Sequence, residues 1–147
     1  MTIADVAIRP ALESDEVAVA ALWRACGLVV SYNDPATDFR FARAKTNSDI
    51  LVGTDGAGKI VGSVMVGHDG HRGWVYYVSS DPERRGQGIG RAMMGAAEDW
   101  LESRGVVKVQ LMVRETNTQV ISYYEGLGFE SIPRTVMQKW LKPSTET

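Results

Sequence analysis

The pattern of apolar and polar residues in the first third of the chain predicts one strand and two helices. Ile3–Arg9 alternates between the two types, which is typical of a strand with one buried face, and Pro10 ends it. Apolar residues at helical spacing predict a helix over Asp15–Ala25, with Asp15 as its N-cap. Asp34 followed by Pro35 predicts the start of a second helix, because the first helical position needs no N–H donor.

Strand and helix patterns continue through the rest of the chain. The other predicted strands are Ile50–Gly53, Lys59–Gly67, Trp74–Ser79, Val106–Val113, Phe129–Ile132 and Val136–Leu141. A long helix with an apolar stripe begins at Ile89 and is closed by Gly105, and a short helix extends from Asn117 to Leu127. The order β-α-α-β-β-β-α-β-α-β-β predicts a mixed α/β fold with about six or seven strands and about four helices.

Length and composition indicate a single domain over residues 1–142. The chain has 147 residues, of which 44% are hydrophobic and 23% charged, and compact domains usually contain about 100–150 residues. Only the tail Pro143–Thr147 is expected to be loose. Cys26 is the only cysteine, which excludes an intrachain disulfide and a cysteine-rich zinc site. Its place on an apolar helical stripe predicts a buried structural thiol.

Charge and hydropathy exclude several classes of partner. The net charge of −2 gives no overall field that would attract nucleic acid or an anionic membrane. No apolar run approaches the ~20 residues needed to cross a bilayer. The first ten residues lack the apolar core of a signal peptide. We therefore expect a cytoplasmic protein with neither a nucleic-acid nor a membrane partner.

Two glycine-rich segments are candidates for phosphate binding, and the first fails. Gly53–Lys59 matches the first seven positions of a P-loop, but Ile60 stands where Mg²⁺ binding requires serine or threonine. A predicted strand follows it instead of a helix, so no helix N-terminus faces a phosphate. Asp55–Gly58 is therefore interpreted as a hairpin turn.

The second segment, Arg84–Arg91, lies between a predicted strand and a predicted helix. Its three glycines allow the backbone to approach a ligand closely, and the free N–H groups of a helix N-terminus favour an anion. The dinucleotide-binding pattern fails, because Arg91 occupies the position of its third glycine. Pyrophosphate binding is the predicted role, and an ordinary glycine-rich turn with solvated arginines is the alternative.

At this point the sequence resembles the GCN5-related N-acetyltransferases. Ser80–Gly90 resembles their motif A, whose core is Arg/Gln-x-x-Gly-x-Gly/Ala. The defining positions of that core are filled by Arg85, Gly88 and Gly90. A second family signature, Asn-x6-Tyr-Glu-x-x-Gly-Phe, resembles the stretch from Asn117 to Phe129. The resemblance covers residues 8–141, including the order of the strands.

The resemblance implies a GNAT-like fold with acetyl-CoA in a cleft where the strands Trp74–Ser79 and Val106–Val113 splay apart. The residues expected to bind the cofactor are Val78, Ser80, Arg85, Gly86, Gln87, Gly88, Ile89, Gly90, Arg91, Asn117 and Tyr124. The pyrophosphate would lie on N–H groups of the glycine-rich segment, and the pantetheine arm would pair with backbone groups of Val78 and Ser80. A backbone N–H near Val78 is the expected donor to the developing oxyanion.

By its place in the second signature, Tyr124 is the expected general acid. The acceptor amine would attack the thioester directly, so neither a metal ion nor a covalent intermediate is expected. A phenol with a pKa of about 10 lies close to an alkyl thiol at about 8.5, so proton transfer to the thiolate costs little. Tyr123 points about 100° away around the helix and is the alternative acid. Asn117 would contact the cofactor, cap its helix, or do both.

The general base is left open by the sequence. Many members of the family use a glutamate on the fourth strand, but Trp74–Ser79 carries no carboxylate. A chain of water molecules with no single base is one alternative. The candidate side chains are Asp34, Asp69, His71, Asp81 and Glu115.

The sequence therefore predicts an acetyl-CoA-dependent N-acetyltransferase. Its acceptor would be an amine on a small metabolite, an antibiotic or a protein N-terminus. Tyr32–Pro35 and Asp69–Gly73 also resemble the bacterial YpeA branch of uncharacterised acetyltransferases, and many relatives pair as homodimers. The alternative from another class is a non-catalytic acyl-CoA-binding or sensor domain, which would keep the pyrophosphate turn without turnover.

Overall fold

The computed structural model describes residues 5–142. The predicted tail Pro143–Thr147 and the beginning of the predicted strand Ile3–Arg9 therefore lie outside the described residues. Backbone contacts divide the chain into two compact units, with the boundary between Leu111 and Met112.

The first unit contains one sheet and three α-helices. Its elements are β1 (Ala7–Pro10), α1 (Glu16–Ala25), α2 (Pro35–Ala42), β2 (Ser48–Thr54), β3 (Ile60–His68), β4 (Gly73–Ser80), α3 (Ile89–Glu102) and β5 (Val109–Gln110). Short 3-10 helices at Glu13–Asp15 and Pro82–Arg84 precede α1 and α3. The second unit contains α4 (Thr118–Gly126). The predicted order of elements is confirmed from β1 to α4.

The strands lie in chain order across the sheet, β1-β2-β3-β4-β5. Neighbours from β1 to β4 are antiparallel, and β2 and β3 are joined by the predicted turn at Asp55–Gly58. Strand β5 is parallel to β4 and pairs only with its first two residues, Gly73 and Trp74. The predicted strand Val106–Val113 is therefore wrong in length, because only two of its residues form a ladder with β4.

Helices α1 and α2 cover one face of the sheet, and α3 covers the other. The core under α1 and α2 includes Trp23, Phe39 and Ile50, each at most 1% exposed. On the other face a Cβ at Gly62 would come within 2.6 Å of the Ile89 side chain. Glycine is required there because α3 lies directly on β3. This close packing fixes the beginning of α3 against the sheet.

The prediction of six or seven strands is wrong, since the sheet has five strands within residues 5–142. The predicted strands Phe129–Ile132 and Val136–Leu141 are absent from those residues. Instead, the Arg134 N–H donates to the Ile132 carbonyl at 2.9 Å, which makes a three-residue turn around Pro133. Alternation predicts which face of a strand would be buried, but a ladder also needs a neighbouring backbone. From Ile132 to Leu141 the large apolar side chains are 42–93% exposed, whereas Phe129 is half-buried.

Candidate active site

Strand β4 has an open backbone edge beyond its second residue. Strand β3 pairs along one side, whereas β5 pairs on the other side only with Gly73 and Trp74. From Val75 to Ser80, no strand among residues 5–142 occupies that second side. Unpaired N–H and C=O groups on such an edge are able to pair with an extended ligand that contains amides. Val78 and Ser80 lie in this part of β4.

Acidic side chains fix the turn that follows β4. The Asp81 carboxylate accepts the Glu83 N–H at 3.0 Å and lies 3.4 Å from the Lys59 ammonium. These contacts, led by the backbone hydrogen bond, hold the pKa of Asp81 below its ordinary value. The Arg84 guanidinium donates to Asp55 of the β2–β3 hairpin at 2.8 Å. Arg84 therefore forms an ion pair with a carboxylate of the hairpin.

The glycine-rich segment passes twice through left-handed backbone before α3 begins. Gly86 has a φ of +80° and Gly88 a φ of +77°, values that residues with a Cβ adopt at a cost. Gly88 is the N-cap of α3, and its carbonyl accepts the Ala92 N–H at 3.0 Å, the first hydrogen bond of the helix. The N–H groups of residues 89–91 consequently have no acceptor within the helix. Together with the helix dipole they favour an anion.

The charged and polar side chains of the segment Arg85–Arg91 are exposed to solvent, whereas its apolar side chain is buried on the sheet. Arg85 and Arg91 are exposed, and neither forms an ion pair with another described residue between 5 and 142. Gln87 is exposed in the same turn. By contrast, Ile89 is 3% exposed and packs on β3 at Gly62. The segment is thus anchored by one apolar residue while its polar groups face outward.

Cys26 lies beside the end of β4. Its thiol is half-buried, whereas the sequence predicted full burial. The thiol donates to the Ser80 carbonyl at 3.1 Å, and burial raises its pKa. A thiol with a raised pKa stays protonated near neutral pH. Cys26 therefore acts as a hydrogen-bond donor to the backbone of a predicted cofactor-binding residue.

Helix α4 carries the two predicted site residues of the second unit. Asn117 is its N-cap, as predicted, and the side-chain oxygen accepts the Val120 N–H at 3.4 Å. Tyr124 is half-buried, and its ring meets Tyr123 and Phe129 edge-on, with centroids 5.2 Å and 5.6 Å away. Burial raises the pKa of Tyr124 to about 12. The phenol therefore keeps its proton at neutral pH.

The carboxylate candidates for the general base take part in local structure. Asp34 accepts the Thr37 hydroxyl at 2.6 Å, and Asp69 accepts two backbone N–H groups of its own turn. These hydrogen bonds lower the pKa of both carboxyls, which weakens them as bases. Asp81 is held in the same way. His71 and Glu115 are exposed in loops.

The sequence reasoning missed a polar and aromatic network that supports β4. The Tyr77 hydroxyl donates to Asp38 of α2 at 2.7 Å, and its ring stacks on Trp23 of α1 with centroids 4.0 Å apart. The Trp23 indole N–H donates to the Ser63 hydroxyl at 3.0 Å. The hydrogen-bonded partners are 39 and 40 residues apart in the chain. No local pattern therefore signals this network.

The structure brings one part of the predicted site together. Val78, Ser80 and Arg85–Arg91 follow one another along the end of β4 and the beginning of α3 in the first unit. Asn117 and Tyr124 lie on α4 in the second unit. Within residues 5–142, no three histidine, cysteine or acidic side chains are grouped so as to hold a metal ion. No helix in that range has both the length and the apolar surface to span a membrane.

Comparison with known proteins identifies relatives along most of the chain. Residues 6–129 match the model of the acetyltransferase (GNAT) family. An acetyltransferase of Pectobacterium atrosepticum is 40% identical over 134 residues, which cover 91% of this chain and 94% of that protein. An acetyltransferase of Sodalis glossinidius is 41% identical over 123 residues, which cover 84% of this chain and 86% of that protein.

Solved structures share the fold at lower identity. AAC(6')-Iy in complex with a CoA-containing bisubstrate analogue is similar with a TM-score of 0.78 and 14% identity, over 93% of this chain and 99% of that chain. The ribosomal-protein-S18-alanine N-acetyltransferase from Escherichia coli has a TM-score of 0.73 and 24% identity, over 86% of this chain and 79% of that chain. These likenesses concern the fold. By the family match over residues 6–129 and the 40% identical relative, the chain belongs to the GNAT family of acetyltransferases.

Proposed function

We propose that this acetyltransferase binds acetyl-CoA along the open edge of β4 and on the segment Arg85–Arg91. One observation carries the proposal: the unpaired edge of β4 leads within a few residues into an α-helix N-terminus with free N–H groups. The amides of the pantetheine arm match the edge, and the pyrophosphate matches the helix N-terminus with Arg85 and Arg91. A Cβ at Gly86 would meet no atom within 4 Å, so the backbone there is open to a ligand.

In the proposed reaction the neutral amine of the acceptor attacks the carbonyl carbon of the acetyl thioester. A C–N bond forms as the carbonyl electrons move to oxygen, and the Val78 N–H stabilises the resulting oxyanion. Collapse of this intermediate breaks the C–S bond and releases the CoA thiolate. Tyr124 donates its proton to the thiolate, and the proton lost by the amine returns to the Tyr124 oxygen through water.

The environment of Tyr124 supports its role as an acid and also limits it. With a pKa of about 12, the phenol is protonated at the start of every turnover. Full transfer to a thiolate whose thiol has a pKa of about 8.5 is then uphill. Proton transfer from Tyr124 to the thiolate therefore costs more free energy than transfer from a phenol with the ordinary pKa of about 10. It is completed because the acceptor amine releases a proton in the same reaction.

We propose that water removes the proton from the acceptor amine. The supporting observation is that Asp34, Asp69 and Asp81 are each held by hydrogen bonds that lower their pKa. His71 and Glu115 are the side-chain alternatives.

The proposed acceptor is an amine of a small molecule or a peptide N-terminus. We make four further proposals from the resemblance. They are membership of the bacterial YpeA-like branch, a cytoplasmic location, a homodimer and one catalytic domain over residues 1–142.

A thermal-shift comparison of acetyl-CoA, CoA, NAD and ATP at equal concentrations tests the cofactor site. A ligand at about 100 times its Kd adds about 2.7 kcal/mol of stability, which for this chain length raises Tm by about 5–10 °C. We expect a rise with acetyl-CoA and CoA and none with NAD. The double variant Arg85→Gln/Arg91→Gln is expected to lose most of the rise. Arg24→Gln, which removes an exposed arginine of α1, is the matched control.

Release of free thiol from acetyl-CoA in the presence of a panel of amines tests catalysis. An amine-dependent release above the background without enzyme is the expected result. Binding of acetyl-CoA without release for any small amine or peptide N-terminus would favour the non-catalytic sensor. Absence of any shift with acetyl-CoA and CoA would contradict the proposed cofactor site itself.

A further inference from the structure

Strand β4 contains a bulge opposite the middle of β3. Ser63 pairs with Ser79 and Met65 pairs with Tyr76, so Val64 alone stands opposite Tyr77 and Val78. Tyr77 has a φ of +53°. Bulges that place one residue in left-handed backbone normally use glycine there, because a Cβ disfavours the conformation.

Contacts of the Tyr77 side chain compensate for this unfavourable backbone. The ring stacks on Trp23 with an interplanar angle of 8°, and the hydroxyl donates to the Asp38 carboxylate at 2.7 Å. Trp23 is itself fixed by its hydrogen bond to Ser63 of β3. Burial and the neighbouring Asp38 raise the pKa of Tyr77, so the hydroxyl retains the proton that it donates. Tyr77 thus stands where such a bulge normally has glycine, and contacts with side chains from α1 and α2 hold it there.

The bulge coincides with the open edge of β4. From Val75 onward no strand among the described residues covers that edge, and the bulge residue Val78 carries the N–H assigned to the oxyanion. A bulge changes the direction in which neighbouring backbone groups point, and strained backbone often marks sites where such groups act on a ligand. A change in the bulge would therefore redirect the Val78 N–H while the segment Arg85–Arg91 keeps its own anchors.

We infer that Tyr77, Asp38 and Trp23 are positioning residues that hold the β4 bulge and thereby aim the Val78 N–H at the acetyl carbonyl. The inference rests on the proposed function, because it assumes acetyl-CoA along β4. None of the three residues is assigned contact with the reacting atoms. Their effect is to distinguish acetyl-CoA from CoA, since only acetyl-CoA carries the carbonyl that the N–H would meet.

The Kd values of acetyl-CoA and CoA, measured by calorimetry for each variant, test the inference. Tyr77→Phe removes this hydrogen bond, and Asp38→Asn weakens it by replacing the charged acceptor with a neutral amide oxygen, each with little change in shape. Each is expected to reduce the preference for acetyl-CoA over CoA by about three- to tenfold, with CoA affinity within about twofold of the original. The double variant is expected to match Tyr77→Phe, because the hydrogen bond is already lost once the Tyr77 hydroxyl is removed. Tyr76→Phe, which removes a more exposed hydroxyl from the same strand, is the control.

Tyr77→Gly separates the side chain from the backbone. Glycine permits the left-handed conformation without fixing it, so this variant relieves the backbone strain but loses both side-chain contacts that hold the bulge in one geometry. We expect it to lose preference for acetyl-CoA at least as strongly as Tyr77→Phe. Circular dichroism and thermal melting report whether each variant is folded, and Asp38→Asn is the mildest change if Tyr77→Gly unfolds.

Two different failures are distinguishable in this experiment. If the unmodified protein binds neither acetyl-CoA nor CoA, the proposed cofactor site is wrong, and the inference fails with it. If it binds both but Tyr77→Phe and Asp38→Asn leave the preference unchanged, the bulge network has no positioning role and the cofactor site stands. An equal loss of affinity for CoA and acetyl-CoA would also overturn the inference, because it indicates a general effect on folding.

Discussion

The two units of the chain hold their predicted site residues by different means. In the first unit, Arg84 at the start of the glycine-rich segment is paired with Asp55, 29 residues earlier, and Ile89 is buried on β3. In the second unit, α4 is capped by Asn117 through a residue three positions later. The contacts of Tyr124 with Tyr123 and Phe129 are equally local.

This difference separates positions where stability and binding are coupled from positions where they are independent. A change at Gly88 or Ile89 disturbs the start of α3, which also packs on the sheet. A change to the Tyr124 hydroxyl removes a chemical group from a helix that its sequence neighbours stabilise. We therefore expect variants at Gly88 and Ile89 to lower Tm and cofactor affinity together, and Tyr124 variants to lower turnover alone.

Tyr124→Phe is expected to have the largest effect, on turnover. Loss of a general acid usually costs about 10²- to 10⁴-fold in rate, while Tm should stay within about 1 °C because the ring contacts remain. Stopped thiol-release assays with acetyl-CoA and a responsive amine measure kcat, and calorimetry measures acetyl-CoA affinity. Tyr123→Phe is the matched control. If Tyr123→Phe loses turnover and Tyr124→Phe does not, Tyr123 is the general acid and Tyr124 is not.

Gly88→Ala is expected to lower both stability and cofactor affinity. The N-cap position has a φ of +77°, and a Cβ in left-handed backbone costs about 1–2 kcal/mol, which lowers Tm by about 2–8 °C. Gly126→Ala changes the last residue of α4, where a Cβ meets open space, and is expected to leave Tm unchanged or raise it. Similar losses in the two variants would contradict the contrast between the units.

Asn117→Ala is expected to cost about 0.5–1 kcal/mol through loss of the cap on α4. Thermal melting measures this loss, and Asn117→Asp, which preserves a capping oxygen, serves as its control. Acetyl-CoA affinity in Asn117→Asp then separates the two predicted roles of this residue. A weaker affinity with normal stability indicates a direct contact with the cofactor, whereas unchanged affinity leaves capping as the role of Asn117.

Asp81→Asn is expected to have the smallest effect, one that depends on pH. The folded state lowers the pKa of Asp81 through the Glu83 N–H and Lys59, so its contribution to stability is present above the unfolded pKa of about 3.9 and is lost as pH falls through the lowered folded value. At pH 7 we expect a Tm lower by about 1–3 °C than that of the original chain. The difference should shrink below pH 4, and Asp99→Asn on the exposed side of α3 should show none.

Much of the site was predictable because its elements are set by local chemistry. The start of α2 at Pro35 and the capping of α4 by Asn117 follow from residues within one helical turn. The turn at Asp55–Gly58 and the left-handed Gly86 and Gly88 follow from residue types that permit those conformations. The two motifs that resemble the family signatures were visible for the same reason.

The rest depended on partners distant in the chain. The strands predicted after Phe129 lack a ladder in the described residues, since alternation specifies a face but not a neighbour. Arg84 pairs with the hairpin carboxylate of Asp55, 29 residues earlier in the chain, and no local pattern indicates that contact. Full burial of Cys26 was expected from its helix stripe, yet the backbone of Ser80 lies beside the thiol.

The sequence by itself determined the order of the elements from β1 to α4, the glycine-rich turn into α3 and membership of the acetyltransferase family. Only the tertiary structure decided the number of strands, the open edge of β4 and the left-handed Tyr77. The physical reason is the range of the interactions. Caps, turns and helical stripes are made by residues a few positions apart, whereas a strand edge or a strained residue depends on what the fold places beside it.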